Sequence, residues 1–335
     1  MAIEKYSTLL PRQGQAKPII KKKLLTALGA TGVLAPFPQN PEHIIERKIL
    51  LQNAFNTTGG GGGGGGGPNC GTVVTSWAAQ VVANGGVAPS AATQLAMCAF
   101  VAGMMTDGIW SRMIAVNAYA PDNLIAGITP ILQGPGSTPW FNQGFSAPDL
   151  TVNGLVGDGT KVLIPGIIPA TAFTSFNYGF TIYISGAVNE ATQDMGIVNS
   201  AITQFIVLQD FSDGLIFDSP FDGGAGVIGP VATPGFTGYL SGNRTDSTHA
   251  SLYRASSGFP HASIGSVANT ATDILASLTY SIGVHALLTS AITFQGFTTK
   301  RLSFAACHLG LSQAQSALFF ARIQTLRQAL GGGFA

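Results

Sequence analysis

The sequence predicts a mainly β protein with helical additions. Three observations carry this. From about Pro135 to Gly310, apolar residues recur at every second position, as in Phe176, Tyr178, Phe180, Ile182 and Ile184. Between Thr72 and Ile128 they recur instead at steps of three and four, the spacing of one helix face. The chain then ends in a capped apolar run after Ser312. Many short strands with frequent turn signals make a sandwich or jelly roll. The helical stretch is too short to be an enzyme domain by itself.

Residues 1–58 hold five prolines and scattered aliphatic side chains without sustained periodicity. They read as an extended arm. Glu42 to Leu51 could form one amphipathic helix with Ile45 and Ile49 on a side. The arm carries eight basic and three acidic residues, a net of +5; the other residues carry eight and twelve, a net of −4. Basic residues including Lys21, Lys22, Lys23, Arg47 and Lys48 on a slightly acidic body suggest docking to an acidic partner surface. The apolar stretch after Lys23 is diluted by Gly29, Thr31 and Gly32 and is too short to span a membrane. It reads as a strap or short helix rather than a signal, and no membrane insertion is expected.

Residues 59–68 are nine glycines and Pro68. Glycine loses the most backbone entropy on ordering, so the run reads as a flexible linker, about 16 Å end to end. A bundle of polyglycine helices is the alternative.

Residues 69–134 read as a helical module. Leu95, Cys98, Ala99, Ala102 and Met105 share one helical spacing after Pro89-Ser90, and Gly85-Gly86 fits a helix end. Asp107 is placed to cap a further helix carrying Ile109, Trp110, Met113, Ile114 and Asn117.

Residues 135–310 supply the sandwich. Strands are expected at Leu278–Ala286 and Leu302–His308, and in TQFIVLQ, GLIFDS, GFTGYLSG and SLYRAS. In residues 311–335, Ser312 and Gln315 match a capping box, and Phe319, Ile323, Leu326 and Leu330 form a stripe that must dock somewhere. Arg322 and Arg327 lie in its later turns, and Gly331 stops it.

Composition narrows the function. Charged residues are only 9% of the 335, against roughly 25% in an ordinary soluble domain. Neutral polar surface suits a protein held among neighbours or displayed on a particle. A net charge of +1 gives no general attraction to nucleic acid. Cys70, Cys98 and Cys307 lack metal spacing; Cys98 and Cys307 read as buried thiols and Cys70 as accessible. No phosphate loop, nucleophile elbow, dinucleotide fingerprint or metalloprotease motif occurs. His43, His249, His261, His285 and His308 stand apart from one another. Neither a cofactor nor a metal site is expected.

Glycoside hydrolysis needs two carboxylates a few ångströms apart. Glu190 and Asp194 lie in an expected loop, and Asp210, Asp213, Asp218 and Asp222 form an acidic region that reads as a solvated turn rather than a calcium site. Sugars can be held without catalysis by aromatic faces and neutral hydrogen-bonding groups. Trp140, Tyr239, Asn243, Arg244, Asp246 and Tyr253 offer these in segments that read as loops.

Phe100, Val101, Gly103, Asp107, Gly108, Ile109 and Trp110 spell F-V-x-G-x-x-x-D-G-I-W. Gly157-Asp158-Gly159 follows, and later Gly310, Leu311, Ser312, Ala314 and Gln315 open the last helix. Across roughly residues 70–331 this resembles tailed-phage structural proteins in which a helical segment precedes a concanavalin A-like (LamG-like) domain. The resemblance implies a non-enzymatic virion component, such as a fibre, decoration or tail-associated protein. It implies partners among other virion proteins and a homo-oligomer. A host-glycan-binding adsorption protein is the alternative, and a polysaccharide-degrading enzyme the third reading.

Overall fold

The structure is a computed structural model that describes residues 69–134, 139–174, 176–190, 192–199, 205–211, 214–218, 235–268, 275–289 and 293–332. The basic arm and the polyglycine run lie outside the described residues. All described residues belong to one compact unit, Gly63–Ala335.

Helix α1, Cys70–Ala83, starts where the Asn69 side chain accepts from the Thr72 N–H and ends before Gly85 at φ +89°. Helix α2, Ala91–Thr106, starts where Ser90 accepts from the Thr93 N–H. The two are joined by a Cys70–Cys98 disulfide. This corrects the expectation of a free Cys98 and an accessible Cys70; Cys307 is the buried thiol that was expected. The buried face of α2 is Ala96, Met97, Phe100, Val101 and Met104, whereas Leu95 is exposed. The helix is apolar nearly all round, so spacing alone selected the wrong stripe.

Asp107 closes α2 instead of opening another helix. Gly108, at φ +68°, turns the chain into a short 3-10 turn, Trp110–Arg112, and then strand β1, Met113–Asn117. The predicted helix over these residues is therefore a strand. Its register with the strand at residues 301–308 outweighs a helical spacing that β1 also satisfies. A short helix α3 follows at Leu124–Ile128 and α4 at Pro169–Ala172.

The remaining strands are β2 (Leu132–Gln133), β3 (Phe141–Gln143), β4 (Leu150–Thr151), β5 (Gly154–Val156), β6 (Val162–Ile164), β7 (Tyr178–Gly186) and β8 (Met195–Val198). They continue with β9 (Phe205–Phe211), β10 (Gly214–Asp218), β11 (Gly238–Arg244), β12 (His249–Ser256) and β13 (Phe259–Ala268). The last are β14 (Gly283–Val284), β15 (Leu287–Leu288), β16 (Phe294–Gln295) and β17 (Arg301–His308). The first sheet runs β13-β12-β11-β7-β17-β1-β2, with β5 and β4 attached beside β17. The second runs β10-β9-β8-β14-β6-β3, with β15 and β16 alongside. The chain is thus a mainly β sandwich of jelly-roll type with a few helices. The long strand expected over Leu278–Ala286 is only β14, which ends where His285 takes a left-handed φ of +69°.

Two apolar cores fix this arrangement. Phe180, Ile182, Ile184, Leu240 and Leu252 face Ile197, Ile206, Leu208 and Phe217 between the sheets. Tyr183, Tyr239, Tyr253 and Phe304 face the other way, onto α1, α2 and the terminal helix α5, Gln313–Ala329. Period two in β7 therefore divides two cores, not core from solvent. The predicted capping box of α5 forms, and Phe319, Ile323 and Leu326 dock on the first sheet.

The motif around Gly103 is the joint between α2 and α5. A Cβ on Gly103 would stand 2.7 Å from Arg322 Nε, which lies across it. Arg322 donates to both oxygens of Asp107, at 2.7 and 3.0 Å, and holds that carboxyl below its ordinary range.

Candidate functional site

Most of the residues expected to bind sugar are interior. Trp140 is wholly buried between the sheets and donates from Nε1 to Gln133 Oε1 at 2.9 Å. Tyr239 shares a 2.8 Å hydrogen bond with Ser316 of α5, and burial pushes its hydroxyl up to about 12. Tyr253 stacks obliquely on His261, whose Nε2 also meets Ser316 Oγ at 3.0 Å. Asn243 accepts from the Leu311 N–H at 2.8 Å and donates to Ser241 Oγ at 2.9 Å. Ser241 in turn accepts from Thr181, which meets His308 Nε2 at 2.8 Å. Arg244 is buried and reaches the carbonyls of Asp246 and Ser247.

Tyr239, Asn243 and Tyr253 therefore belong to the seam that holds α5 and the chain leading into it on the first sheet. The loop expectation for these three residues and Arg244 is corrected, whereas Trp140 does lie outside any strand or helix but is buried. Their hydroxyl and amide groups satisfy each other where two layers meet, which a sequence cannot separate from a loop site. Asp246 alone of the six is exposed. It accepts from Thr248 and His249, and these hydrogen bonds hold it down to about 2.

The acidic region is likewise not a solvated turn where it is described. Asp213 and Asp222 lie outside the described residues, but Asp210 is buried in β9 and faces Lys300. Glu190 accepts from the Thr299 N–H at 2.8 Å and from the Thr299 hydroxyl at 2.7 Å. A hydroxyl bond from Thr298 joins these, and against the opposing effect of burial they lower its pKa. Asp194 is wholly buried beside the same lysine. Two carboxylates that come together, Asp194 and Asp210, are thus sealed from any polysaccharide. No group of three or more His, Cys, Asp or Glu side chains arranged to hold a metal occurs among the described residues.

A different surface is open. Phe141, on the edge strand β3, is 58% exposed. It pairs with Ile164, and Gln143 pairs with Val162, so all four share the outer face of the second sheet. Val162 and Leu288 form a small apolar cluster there, against which Ile164, Phe294 and Phe297 pack. Phe294 and Phe297 have ring centroids 5.9 Å apart. Exposed Gln143 borders the patch. An aromatic face with the Gln143 amide beside it offers both a stacking surface and a hydrogen-bonding group for a sugar ring. The F-N-Q tripeptide of β3 was the available signal, hidden because Trp140 next to it is the larger aromatic.

No family model matches the chain, and no curated protein matches it. Several solved structures are similar to part of the chain. The carbohydrate-binding module CBM40 of a Ruminococcus gnavus IT-sialidase is 12% identical with a TM-score of 0.38, covering 51% of this chain and 99% of that one. A Trypanosoma rangeli sialidase is 10% identical with a TM-score of 0.40, over 64% of this chain and 33% of that one. The NanB sialidase of Streptococcus pneumoniae is 10% identical with a TM-score of 0.37, over 48% and 26%. Likeness at this level transfers no residue and no activity to this chain.

Proposed function

We propose that the chain is a non-enzymatic structural component of a tailed-phage particle, anchored by its arm and displaying a concanavalin A-like sandwich that binds host glycan. The observation that carries the glycan reading is the aromatic patch around Phe141. The first sheet is covered by helices on one face and by the second sheet on the other, so the patch lies on the outer face that remains. Support for the particle reading comes from the motif residues Gly103 and Asp107, which work together with Arg322 as one joint, and from the low charge of the chain. Val82 and Val87 are exposed near the tip of the α1–α2 hairpin, a place for a second copy or another virion protein to attach.

The test is binding of the full-length protein to host surface polysaccharide. Phe141→Ala should weaken it by about tenfold, the equivalent of roughly 1.4 kcal/mol of lost stacking, and Asp246→Ala should leave it unchanged. Equal binding by parent and Phe141→Ala would remove the patch from the reading. Release of new reducing ends from the polysaccharide would overturn the non-enzymatic part. For anchoring, a chain lacking residues 1–67 should fail to enter particles that incorporate the full-length protein.

A further inference from the structure

Lys300, Asp194 and Asp210 form a buried triad that the glycan reading does not use. Lys300 Nζ stands 3.2 Å from each Oδ of Asp194 and 3.8 Å from Asp210 Oδ2, and the side chains of Lys300 and Asp194 have no exposed surface. Equal distances to the two oxygens put the nitrogen opposite the carboxyl carbon. The parts are held there. The Asp210 N–H donates to Asp194 Oδ2 at 2.7 Å, and the Asp194 carbonyl accepts from the His285 N–H at 2.8 Å. The Lys300 backbone is fixed by Gly157, whose N–H donates to its carbonyl at 3.0 Å, and Lys300 Nζ also donates to the Asp210 carbonyl. Gly157 has no room for a side chain, because a Cβ there would meet the Thr298 carbonyl at 2.1 Å.

One lysine between two carboxylates cannot neutralise both, and buried charge is costly. Burial raises Asp194, and it pushes Asp210 up to about 7 against the pull of Lys300. Asp210, 3.8 Å from Lys300 Nζ and donating its N–H to Asp194, is thus placed to hold and pass a proton between them. An amine held within reach of a carboxyl carbon in a dry site has the proximity that makes condensation effectively unimolecular.

We propose that Lys300 Nζ and Asp194 Cγ are joined by an isopeptide bond, with Asp210 as the proton carrier. A proton first passes from the ammonium to the Asp194 carboxylate, leaving a neutral amine and a neutral acid. The amine lone pair attacks Cγ while the protonated Asp210 hydrogen-bonds the developing oxyanion. Asp210 then takes a proton from the nitrogen and delivers one to the departing hydroxyl. The C–OH bond breaks, one water leaves, and Asp210 ends protonated as it began. No electrons are gained or lost, and no co-reactant is needed. The product is a neutral amide in place of a buried ion pair. It ties the start of β8 in the second sheet to the start of β17 in the first, across a sequence separation of 106.

Mass spectrometry of the full-length protein, denatured and with its disulfide reduced, tests this directly. The expected mass is one water below that calculated from the sequence. Trypsin should not cut after Lys300, and the peptides containing Asp194 and Lys300 should appear as one branched species. Lys300→Met and Asp210→Asn should carry their full calculated masses. A parent protein at its full calculated mass, cut normally after Lys300, would overturn the proposal without any variant having to fold. A linked Asp210→Asn would overturn the role given to Asp210.

Discussion

Gly242 lies in β11, hydrogen-bonded to β7 on one side and β12 on the other. A Cβ built there would stand 2.0 Å from Cδ2 of Phe217 and 2.2 Å from its Cγ. That ring comes from β10 of the opposite sheet and is wholly buried. Gly242→Ala therefore forces the ring to move, because a strand paired on both edges cannot retreat. Overpacking of a filled core costs about 1–3 kcal/mol, and the pinned backbone argues for the upper end. Phe217→Ala alone removes a buried ring and should cost about 3–5 kcal/mol. In the double variant the new methyl faces the hole left by the ring, so the loss should fall short of the sum by at least about 1 kcal/mol. Urea unfolding followed by tryptophan fluorescence reads all four proteins. The slope should stay constant while the midpoint moves. Gly242→Ala within about 0.5 kcal/mol of the parent, or strict additivity in the double variant, would refute the contact and with it the packing of β10 over β11.

Reduction of the Cys70–Cys98 disulfide, which closes a separation of 28 residues, should lower stability by about 3–4 kcal/mol in the chain-entropy account; a midpoint unmoved by reductant refutes this. Burial holds His285 down to about 3 and His308 down to about 4, below an ordinary value near 6.5. Because the unfolded chain takes up these protons first, their contribution is full above pH 6.5 and is lost as pH falls towards 4 and 3. Asp210, raised to about 7, acts in the opposite sense, its contribution being full at low pH and lost as pH rises through 7. His285→Asn, which tolerates the left-handed backbone, should therefore flatten the acid side by up to about 1.4 kcal/mol per pH unit relative to the parent; parallel curves would refute the His285 assignment. Gly85→Ala meets open space but a φ of +89°, so it should cost only about 1 kcal/mol of backbone strain, read by the same urea experiment.

The sequence made the layers legible more readily than the roles of individual polar residues. The capping box at Ser312, the helix end at Gly85 and the strands through Phe180 and Phe304 are local signals, written in adjacent residues. What escaped depended on partners far along the chain. Asp107 looks like a helix opener until Arg322 is seen to grip it, and Met113–Asn117 fits a helix until β17 supplies hydrogen bonds. Tyr239 and Asn243 carry the chemistry of a sugar site, and their neighbours do not reveal that Ser316 and Leu311 already occupy it. Lys300 and Asp194 give no sign of one another in sequence.

Covering the first sheet with helices has a consequence for where recognition can evolve. Tyr183, Tyr239 and Phe304 must present matched shapes to α5, with Arg327 lying 4.1 Å over the Tyr183 ring and Gln324 donating to its hydroxyl at 3.0 Å. Substitution there disturbs a closed seam and changes stability before it changes specificity. Among the described residues no such seam covers Phe141 on the outer face of the second sheet, and its side chain can be exchanged at little cost to the core. The two sheets thus divide the work, the first being fixed by packing and the second left free to vary towards a ligand. On this argument, random substitution at Phe141 and Gln143 should shift glycan preference while the unfolding midpoint holds, whereas substitution at Tyr183 and Tyr239 should lower the midpoint. A library in which both sets moved stability alike would remove that division.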